Sequence, residues 1–430
     1  MTQRLRSEML EKRKLLFQSL VSALLLAYPA IALFVHNAGN AILFLLLILS
    51  VTAMTIRLQP DGVGFGELLK AYWPLHLAMA SGCLAIFINQ LWTGEFAARD
   101  YDRALRLAIF PFVFWILFFV PIRHLKLLQW SFLAAAVIAM AKAYIFTNGG
   151  DVRDGNIGFI SIIAYSDIAL LAGVLCVVSF GWNEGKLKLV LLVKILACVA
   201  GLYTSVLTAT RGSWLAIPLF LIFFLFFARL EVRRKWLWVA SFVVVVGLML
   251  TLNQNAANRF LDTQSDLAAY SHGGGKSTST GHRLQLWGAA LTLIAREPVF
   301  GIGRENYDSS IKEMARKKEI TGELTRFAHS HNEILFSTVV SGVFGLLSAL
   351  ALYLVPGYFF ARELSNTAPD IRTAARMGCA LVIGFFSFGL TDLMFFWPVL
   401  GGYYSIMIGA FLVFIIRSKA QPSQLSPQAL

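Results

Sequence analysis

The chain has 430 residues, of which 57% are hydrophobic and only 14% are charged, and its mean hydropathy is +0.68. In soluble domains about a quarter of the residues are charged, and they cover the surface of the core. The composition therefore excludes a soluble fold and predicts an all-α polytopic membrane protein. The net charge of +13 is explained by basic loops that face anionic lipid, so we expect no nucleic-acid partner.

Apolar stretches recur along the chain at about the 20-residue length that a bilayer core of ~30 Å requires. The first stretch follows a basic segment and resembles a signal peptide, but its length predicts that it stays as a helix. The hydropathy pattern predicts about twelve transmembrane helices, near residues 15–36, 40–57, 71–92, 105–120, 125–146, 157–181, 187–208, 213–228, 236–252, 331–358, 376–396 and 399–417.

Lysine and arginine cluster at the N-terminus and in alternate short loops, which places those loops and both termini in the cytoplasm. We expect helices one to nine in residues 1–252, a long non-cytoplasmic loop with amphipathic helices in 253–330, helices ten to twelve in 331–418, and a cytoplasmic tail in 419–430. All four cysteines fall inside predicted helices, which predicts no disulfide and no zinc site.

The long loop carries ten lysines and arginines on the side where the positive-inside rule disfavours them, which indicates an anionic ligand. Its segment 262–280 predicts a mobile flap, and the glycine-rich stretch there lacks the spacing and the preceding strand of a nucleotide-binding P-loop. Two amphipathic helices follow, and we expect both to lie along the membrane surface. Thr280 is the expected N-cap of the first. The apolar stripes are Leu284, Trp287, Leu291 and Ile294 in the first helix and Tyr307, Ile311 and Met314 in the second.

Three basic side chains can meet at the outer rim of the bundle. Arg211 begins the eighth span, Arg283 lies in the first turn of the loop helix, and His331 opens the tenth span. Two arginines can hold a diphosphate by paired hydrogen bonds and neutralise the charge that develops as it departs. His331 stands at a helix N-terminus near the arginines, which predicts a neutral base that takes a proton from an attacking hydroxyl.

Each of these residues also has a structural interpretation. Arg211 could extend to lipid phosphates, and Arg283 could anchor its helix on the membrane. Ser330 and Glu333 match the S-x-x-E pattern of a capping box, so the stretch has a structural purpose even if His331 is not catalytic.

His329 lies outside the predicted helix and is more readily structural than functional. A metal site built from His329, His331 and Glu333 is disfavoured because residues two apart do not share a helix face, so we expect neither a metal nor a cofactor.

Ionisable side chains inside predicted spans are costly unless they are paired. Asp167 and Lys194 predict a structural pair with each other. Asp392, near the outer end of the eleventh span, could face the reaction or bond a neighbouring helix.

Three features in order along residues 195–400 resemble the O-antigen ligase and polymerase superfamily of GT-C-like membrane glycosyltransferases. They are Arg211 after small and hydroxylated residues, Gly301-Ile302-Gly303 followed by Tyr307, and His331-Asn332 opening a span after a long outer loop. The resemblance implies a metal-independent, inverting enzyme of the bacterial inner membrane that acts on the periplasmic face. It also implies that the donor is a glycan linked to undecaprenyl diphosphate, that Arg211 and Arg283 bind the diphosphate and that His331 acts at the acceptor. We add His329, Asn332, Arg304 and Asp392 as secondary candidates.

Within this superfamily we expect an O-antigen ligase, which moves the glycan to a sugar hydroxyl of lipid A-core in lipopolysaccharide biosynthesis. The late position of the large loop favours it over an O-antigen polymerase. A protein O-oligosaccharyltransferase is disfavoured, since such relatives usually carry a sizeable outer C-terminal domain. A transporter or flippase of lipid-linked glycans is the alternative from another class, but its charges should lie near the midplane of an internal repeat rather than at one rim.

Overall fold

The computed structural model describes residues 2–60, 62–183, 188–227, 232–272 and 274–420, and it confirms an all-α protein. The tail from residue 421 and Gly273 of the glycine-rich stretch lie outside the described residues. One antiparallel pair, β1 (Asn156–Ile157) and β2 (Ile160–Ser161), is the only sheet in the described ranges. The helices are α1 (Thr2–Phe34), α2 (Ala38–Thr55), α3 (Phe65–Ala71), α4 (Trp73–Thr93), α5 (Tyr101–Ala108), α6 (Phe110–Ile116), α7 (Ile122–Leu125), α8 (Leu128–Phe146), α9 (Ile162–Val178), α10 (Lys188–Leu207), α11 (Arg211–Phe227), α12 (Val232–Leu252), α13 (Gln254–Ser271), α14 (Ser279–Arg296), α15 (Asn306–Arg316), α16 (Glu333–Ala361), α17 (Pro369–Gly389) and α18 (Pro398–Ala420).

Nine helical segments in the described part of the chain are long and apolar enough to cross a membrane, so this is a multi-pass membrane protein. The other three predicted spans are built differently. Residues 213–228 correspond to α11, an apolar helix of 17 residues, and residues 236–252 to α12. Residues 105–120 do not form one helix, because the chain breaks at Ile109, and α6 begins at Phe110 with Pro111 in its first turn. Residues 113–120 are buried, so protein rather than lipid surrounds most of this broken segment.

Three helices form the centre of the bundle. In α9, α17 and α18 the apolar windows are 78%, 78% and 89% buried, compared with 33–44% in α1, α2, α4, α8 and α10. Small residues allow α9 and α10 to approach closely. An added Cβ at Gly173 would lie 2.9 Å from the Ala197 carbonyl oxygen, and one at Gly201 would lie 2.5 Å from that of Ala169.

Asp167 of α9 and Lys194 of α10 are each hydrogen-bonded inside the bundle, but not to each other. Asp167 accepts a hydrogen bond from Ser213 Oγ (2.6 Å), and Lys194 donates to Gln129 Oε1 (2.7 Å) and Ser179 Oγ (2.7 Å). The prediction of an Asp167–Lys194 pair is therefore wrong. Each group is hydrogen-bonded to neutral partners on neighbouring helices, and these hydrogen bonds offset part of the cost of burial in place of the predicted ion pair.

Because consecutive spanning helices run in opposite directions, their connections alternate between two ends of the bundle. The starts of α11, α16 and α18, the end of α17, and residues 253–330 all lie at the same end, which we call the loop end.

The long loop at this end is folded rather than mobile. Residues 254–271 form α13, whose N-cap Asn253 accepts the Ala256 N–H through its side chain (2.8 Å), so most of the expected flap 262–280 is helical. The flap prediction followed the glycines that come after α13 and missed the N-cap before it.

The two amphipathic helices of the loop pack on α16. That both lie along the membrane surface stays a prediction. Tyr307, Ile311 and Met314 of α15 are buried, as their stripe predicts. In α14 the buried stripe is different from the predicted one, and Leu291 is 59% exposed. The shared core contains Leu286, Ala289, Ala290 and Leu293 of α14, the three α15 residues, and Phe336, Val339 and Val340 of α16.

A break inside α16 fixes the loop to this helix. At Ser341–Gly342 the backbone leaves helical geometry, and the chain before α15 pairs with the free carbonyls. Ile302 N–H donates to Val339 O (2.9 Å), and Gly303 N–H donates to Val340 O (3.0 Å). The Gly301-Ile302-Gly303 stretch therefore docks like a strand on an interrupted membrane helix.

Glycine is required on both sides of this contact. Gly301 has a φ of +75° and Gly342 a φ of +58°, a region that other residues adopt at a cost. A Cβ at Gly301 would lie 2.5 Å from Gly342 N, and one at Gly342 would lie 2.2 Å from Val299 O. The two backbones can touch only because neither residue has a side chain.

We expect Gly342→Ala to lower the free energy of unfolding by at least ~1–2 kcal/mol, from left-handed strain alone, with the Val299 clash adding to it. Gly288→Ala is the matched control, because Gly288 is an exposed helical residue of α14 whose added Cβ meets nothing within 4 Å, and it should be neutral or stabilise by ~0.5–1 kcal/mol. Thermal unfolding of both variants in detergent measures the difference. Equal midpoints would show that the docking does not need a glycine.

Candidate active site

The connection between α17 and α18 carries Asp392. The eleventh span was predicted to run to residue 396, but α17 ends at Gly389 and residues 390–397 are not helical. Asp392 therefore lies in a buried, irregular connection at the loop end rather than within a helix, with only 3% of its surface exposed.

The start of α16 is tied to this connection at two points. Asn332 Nδ2 donates to the Leu390 carbonyl oxygen (3.1 Å), and the Glu333 carboxylate accepts the Phe395 N–H (2.9 Å). The predicted capping box of Ser330 and Glu333 is wrong, because Asn332 is the N-cap and accepts the Leu335 N–H (3.0 Å). Asn332, one of the secondary candidates, thus serves the backbone on both sides of the site.

His331 precedes the N-cap and forms a hydrogen-bonded pair with Asp392. Its Nδ1 lies 3.1 Å from Asp392 Oδ1, and its backbone has a φ of +52°. Burial raises the pKa of Asp392, but the hydrogen bond and the charge of His331 outweigh it, so the net pKa is lowered. An ionised Asp392 accepts Nδ1–H, which leaves the lone pair on Nε2 for an incoming proton.

His329 supports this arrangement. Its Nδ1 accepts the His331 N–H (3.3 Å), and the two rings lie 4.4 Å apart. Burial and the neighbouring cations lower the pKa of His329 to about 4, so the ring is neutral at physiological pH. This geometry agrees with the structural interpretation of His329, as a residue that holds His331 in its left-handed conformation.

Arg211 is the first residue of α11, and a glycine brings it to the same connection. An added Cβ at Gly212 would lie 2.5 Å from Thr391 Oγ1, so a larger residue would displace the side chain that precedes Asp392. The short Thr210-Arg211-Gly212-Ser213 run therefore brings the start of α11 against the connection that carries Asp392.

The Arg211 guanidinium is oriented by α13 and α14. Nη1 donates to Asp266 Oδ2 (3.0 Å) and Thr280 Oγ1 (3.1 Å), while Asp262 Oδ2 lies 3.9 Å from Nη2. The side chain is 13% exposed, and its buried Nε has no hydrogen-bond partner among the described residues. Arg211 therefore points into the protein and not to lipid phosphates, and it keeps one donor free.

Arg283 lies in the second turn of α14 rather than the first. The N-cap is Thr278, whose Oγ1 accepts the Gly281 N–H (3.0 Å), two residues before the expected Thr280. Burial lowers the pKa of the Arg283 guanidinium, the charge of Asp392 opposes this, and that of Arg211 adds to it. In the described part of the chain no hydrogen bond or ion pair engages Arg283, so its donors face the site without a partner.

Two more arginines that sequence reasoning left out join this group. Arg153 donates from Nε to the Thr208 carbonyl oxygen (3.0 Å), and burial together with Arg259, Arg283 and Arg211 lowers its pKa to about 10. Burial and the charge of Arg211 also lower the pKa of Arg259, on α13. We call Arg153, Arg211, Arg259 and Arg283 the arginine cluster. Four cations that destabilise one another in a partly buried place favour an anion there.

Arg304, the remaining secondary candidate, belongs to a different group. Its guanidinium lies 5.4 Å from the Phe336 ring centroid, and it acts electrostatically on Arg103 and His329 rather than on the arginine cluster.

His329, His331 and Asp392 are also close enough together to be considered as ligands of a metal ion. Ligand atoms of His329, His331 and Asp392 lie within 4.8 Å of one another, whereas Glu333 of the disfavoured set is turned away towards Phe395. Both histidine Nδ1 atoms are already engaged in hydrogen bonds that fix the loop. The arrangement therefore matches a histidine held by its neighbours better than a shared cation site.

Comparison with known proteins finds similarity over part of the chain. A family model described as O-antigen ligase matches residues 196–350. A protein of Escherichia coli strain K12 named O-antigen ligase is 26% identical over 160 residues, which cover 36% of this chain and 38% of that protein. A Haemophilus influenzae protein named as uncharacterized is 24% identical over 190 residues, 44% of this chain and 48% of that protein.

The chain thus spans about half the length, or less, of these curated relatives. The matched segment nevertheless contains α11, the folded loop and the start of α16, which supply Arg211, Arg283 and His331, while Asp392 lies beyond it. Over this segment the chain is similar to the O-antigen ligase family.

Proposed function

We propose that this protein is an O-antigen ligase, a metal-independent, inverting glycosyltransferase. It moves a glycan from undecaprenyl diphosphate to a sugar hydroxyl of lipid A-core. The observation that carries the proposal is the His331–Asp392 pair beside a cluster of four arginines at one end of a membrane bundle. Transfer from a diphosphate leaving group needs a base for the acceptor proton and nearby cations that stabilise the charge on the leaving diphosphate.

In the proposed reaction, His331 Nε2 accepts the proton of the acceptor hydroxyl as its oxygen attacks the anomeric carbon of the donor. The bond from that carbon to the diphosphate oxygen breaks in the same displacement, which inverts the configuration. Arg283 and the free Nε of Arg211 hold the departing diphosphate and neutralise its developing charge. Asp392 stabilises the imidazolium that forms and keeps the ring in orientation.

A lipid tail needs an apolar groove that leads away from the cations, and α11 provides one. A cavity of about 260 Å³ is lined by Ile217, Phe220 and Phe224 of this helix and by apolar residues of α9, α10 and α12. Arg211 begins the same helix, and at ~1.5 Å rise per residue these side chains lie ~9–20 Å below it. This spacing suits a polyprenyl chain whose diphosphate is held at the helix start.

The charge pattern supports a periplasmic site in the bacterial inner membrane. Among the short loops, lysines and arginines concentrate at the end of the bundle opposite to the loop end. By the positive-inside rule this opposite end is cytoplasmic, and it holds both termini. The arginine cluster then faces the compartment in which undecaprenyl-linked glycans are transferred.

Alternative functions differ in what they predict for the product. An O-antigen polymerase or a protein O-oligosaccharyltransferase uses the same donor with another acceptor. A flippase of lipid-linked glycans is disfavoured because the candidate side chains gather at one end, whereas transporters bind near the midplane.

Purified protein in nanodiscs should transfer glycan from the undecaprenyl-diphosphate donor to lipid A-core in excess EDTA. Mass spectrometry of the products separates the alternatives. A longer polyprenyl-linked glycan would indicate a polymerase, and loss of transfer on chelation would contradict metal independence. Movement of the donor across the bilayer without any transfer would favour the flippase.

We expect Arg211→Ala, Arg283→Ala and His331→Ala each to reduce transfer by ~100-fold or more, because each removes charge stabilisation or the base. Membrane insertion should be intact. Arg296→Gln is the matched control for Arg283, since Arg296 lies on the same helix with its side chain 43% exposed. Near-normal lipopolysaccharide from cells that carry any of the three alanine variants would contradict the proposed site.

Asp392→Asn tests the orientation of His331. An asparagine at this position no longer stabilises the imidazolium, so we expect kcat to fall by ~10- to 1,000-fold, less than for His331→Ala. The KM for the donor should stay within a few-fold of the wild-type value, because Asp392 does not contact the diphosphate in this account. A large rise in donor KM at unchanged kcat would show instead that Asp392 acts on donor binding.

A further inference from the structure

A second cavity at the loop end has no place in donor binding as described so far. It measures about 520 Å³ and lies between α4, α5 and α16, beside the connection that carries Asp392. Its inner wall is apolar and includes Met79, Ile86, Leu107, Leu352 and Leu393. Its mouth is polar, and the acidic residues there are Asp100, Asp102, Glu305 and Asp308, whereas Glu333 of the lining is buried.

Two arginines in this cavity form no hydrogen bond or close ion pair with an acidic residue in the described part of the chain, although the charges of Asp100, Asp102 and Glu305 act on them. Arg103 is half-buried, with its guanidinium carbon 3.6 Å from the Phe396 ring centroid, and Arg304 lies 5.4 Å from that of Phe336. Stacking on aromatic faces fixes both guanidinium planes and leaves their N–H donors unused.

Three of the nearby carboxylates are already engaged by other groups. Gln90 donates to Asp100 (3.2 Å), Arg106 pairs with Asp102 (3.2 Å), and Arg99 pairs with Glu305. The remaining lining still offers carboxylate oxygens that can accept from hydroxyls. A ligand that suits this cavity therefore carries many hydroxyls and at least one anionic group.

The cavity adjoins the catalytic histidine. Phe396, on which Arg103 stacks, lies 4.8 Å from the His329 ring, and His329 lies 4.4 Å from His331. Arg103 and Arg304 also help to lower the pKa of His329, whereas the described interactions of the arginine cluster reach Asp392 and not His329. Arg103 thus reaches His331 through contacts with Phe396 and His329, residues that no described contact of the arginine cluster involves.

We propose that this cavity is the acceptor site, and that Arg103 and Arg304 bind an anionic group, a phosphate or a carboxylate, on the acceptor oligosaccharide. The inference rests on the proposed function and specifies how the acceptor is chosen. The anionic group binds away from the attacked hydroxyl, which reaches towards His331, while sugar hydroxyls donate to the carboxylates at the mouth.

Placing the donor and the acceptor at different groups of arginines also suits the chemistry. An inverting displacement needs the hydroxyl to attack from the face opposite to the leaving diphosphate. With the diphosphate at the arginine cluster and the acceptor in this cavity, the anomeric carbon lies between the attacking oxygen and the leaving oxygen, and His331 takes the proton on the acceptor side.

The test is steady-state transfer with varied acceptor at saturating donor, using the whole protein in nanodiscs. Arg103→Gln and Arg304→Gln should each raise the acceptor KM by ~10- to 100-fold, the range for loss of a hydrogen bond to a charged group. The donor KM should stay within about twofold. Arg316→Gln is the control, because Arg316 is an exposed arginine on the outer face of α15, and its acceptor KM should not change.

Modified acceptors identify the anionic group and do not depend on the variants folding. Acceptor stripped of phosphate, or with amidated carboxylates, should raise the wild-type KM in one of the two cases, and the same change should cause no further loss in the double variant. Unchanged KM for both modified acceptors would overturn the inference while leaving the proposed function intact. The inference would also be overturned if the acceptor KM changed with the phosphatidylglycerol content of the nanodisc in the wild type but not in the double variant. That result would show that the two arginines bind lipid phosphate and not the acceptor. Absence of transfer by the wild type would instead contradict the proposed function.

Discussion

The hydrogen bond between His331 Nδ1 and Asp392 Oδ1 joins two parts of the chain on which the whole site depends. Asp392 belongs to the irregular connection between α17 and α18. In the same connection a carbonyl oxygen accepts a hydrogen bond from Asn332, a backbone N–H donates to Glu333, and a side chain lies against Gly212. One short segment therefore sets the start of α16, the approach of α11 and the orientation of the histidine. Because the connection is buried beneath the folded loop, the bond forms away from bulk water, where it orients the ring most effectively.

The arginine cluster shows how the fold keeps four like charges together in the absence of a ligand. The four arginines come from four separate places: the segment between α8 and β1, the start of α11, and the helices α13 and α14. Asp266 and Asp262 offset part of the repulsion by pairing with Arg211, and Asp392 acts on Arg283 through its charge. The remaining imbalance is what an anionic diphosphate would relieve. In the proposed function, the repulsion among the four guanidinium groups destabilises the protein without its donor. Binding of the diphosphate removes this repulsion, which strengthens the affinity for the donor.

Composition and hydropathy were enough to predict the membrane fold, since a bilayer imposes long apolar helices whatever their packing. Arg211, Arg283 and His331 were predicted as site residues from their positions at helix starts beside a basic loop and from the family resemblance, and their roles stay a prediction. The supporting contacts could not be predicted in this way. Asp392 is 61 positions from His331 and acts from a non-helical connection that hydropathy merged with α17. The caps moved by two residues, from Thr280 to Thr278 and from Ser330 to Asn332, because several hydroxyl and amide side chains stand in a row and packing decides which one caps.

The central claim is that the arginine cluster grips the diphosphate of a lipid-linked donor next to His331. An experimental structure of the protein in nanodiscs with undecaprenyl diphosphate tests this most directly. The account predicts phosphate oxygens within hydrogen-bond distance, about 2.7–3.2 Å, of both Arg211 and Arg283, with the lipid tail along α11. Density for the diphosphate elsewhere, for example at Arg103 and Arg304, with the arginine cluster unchanged, would contradict it.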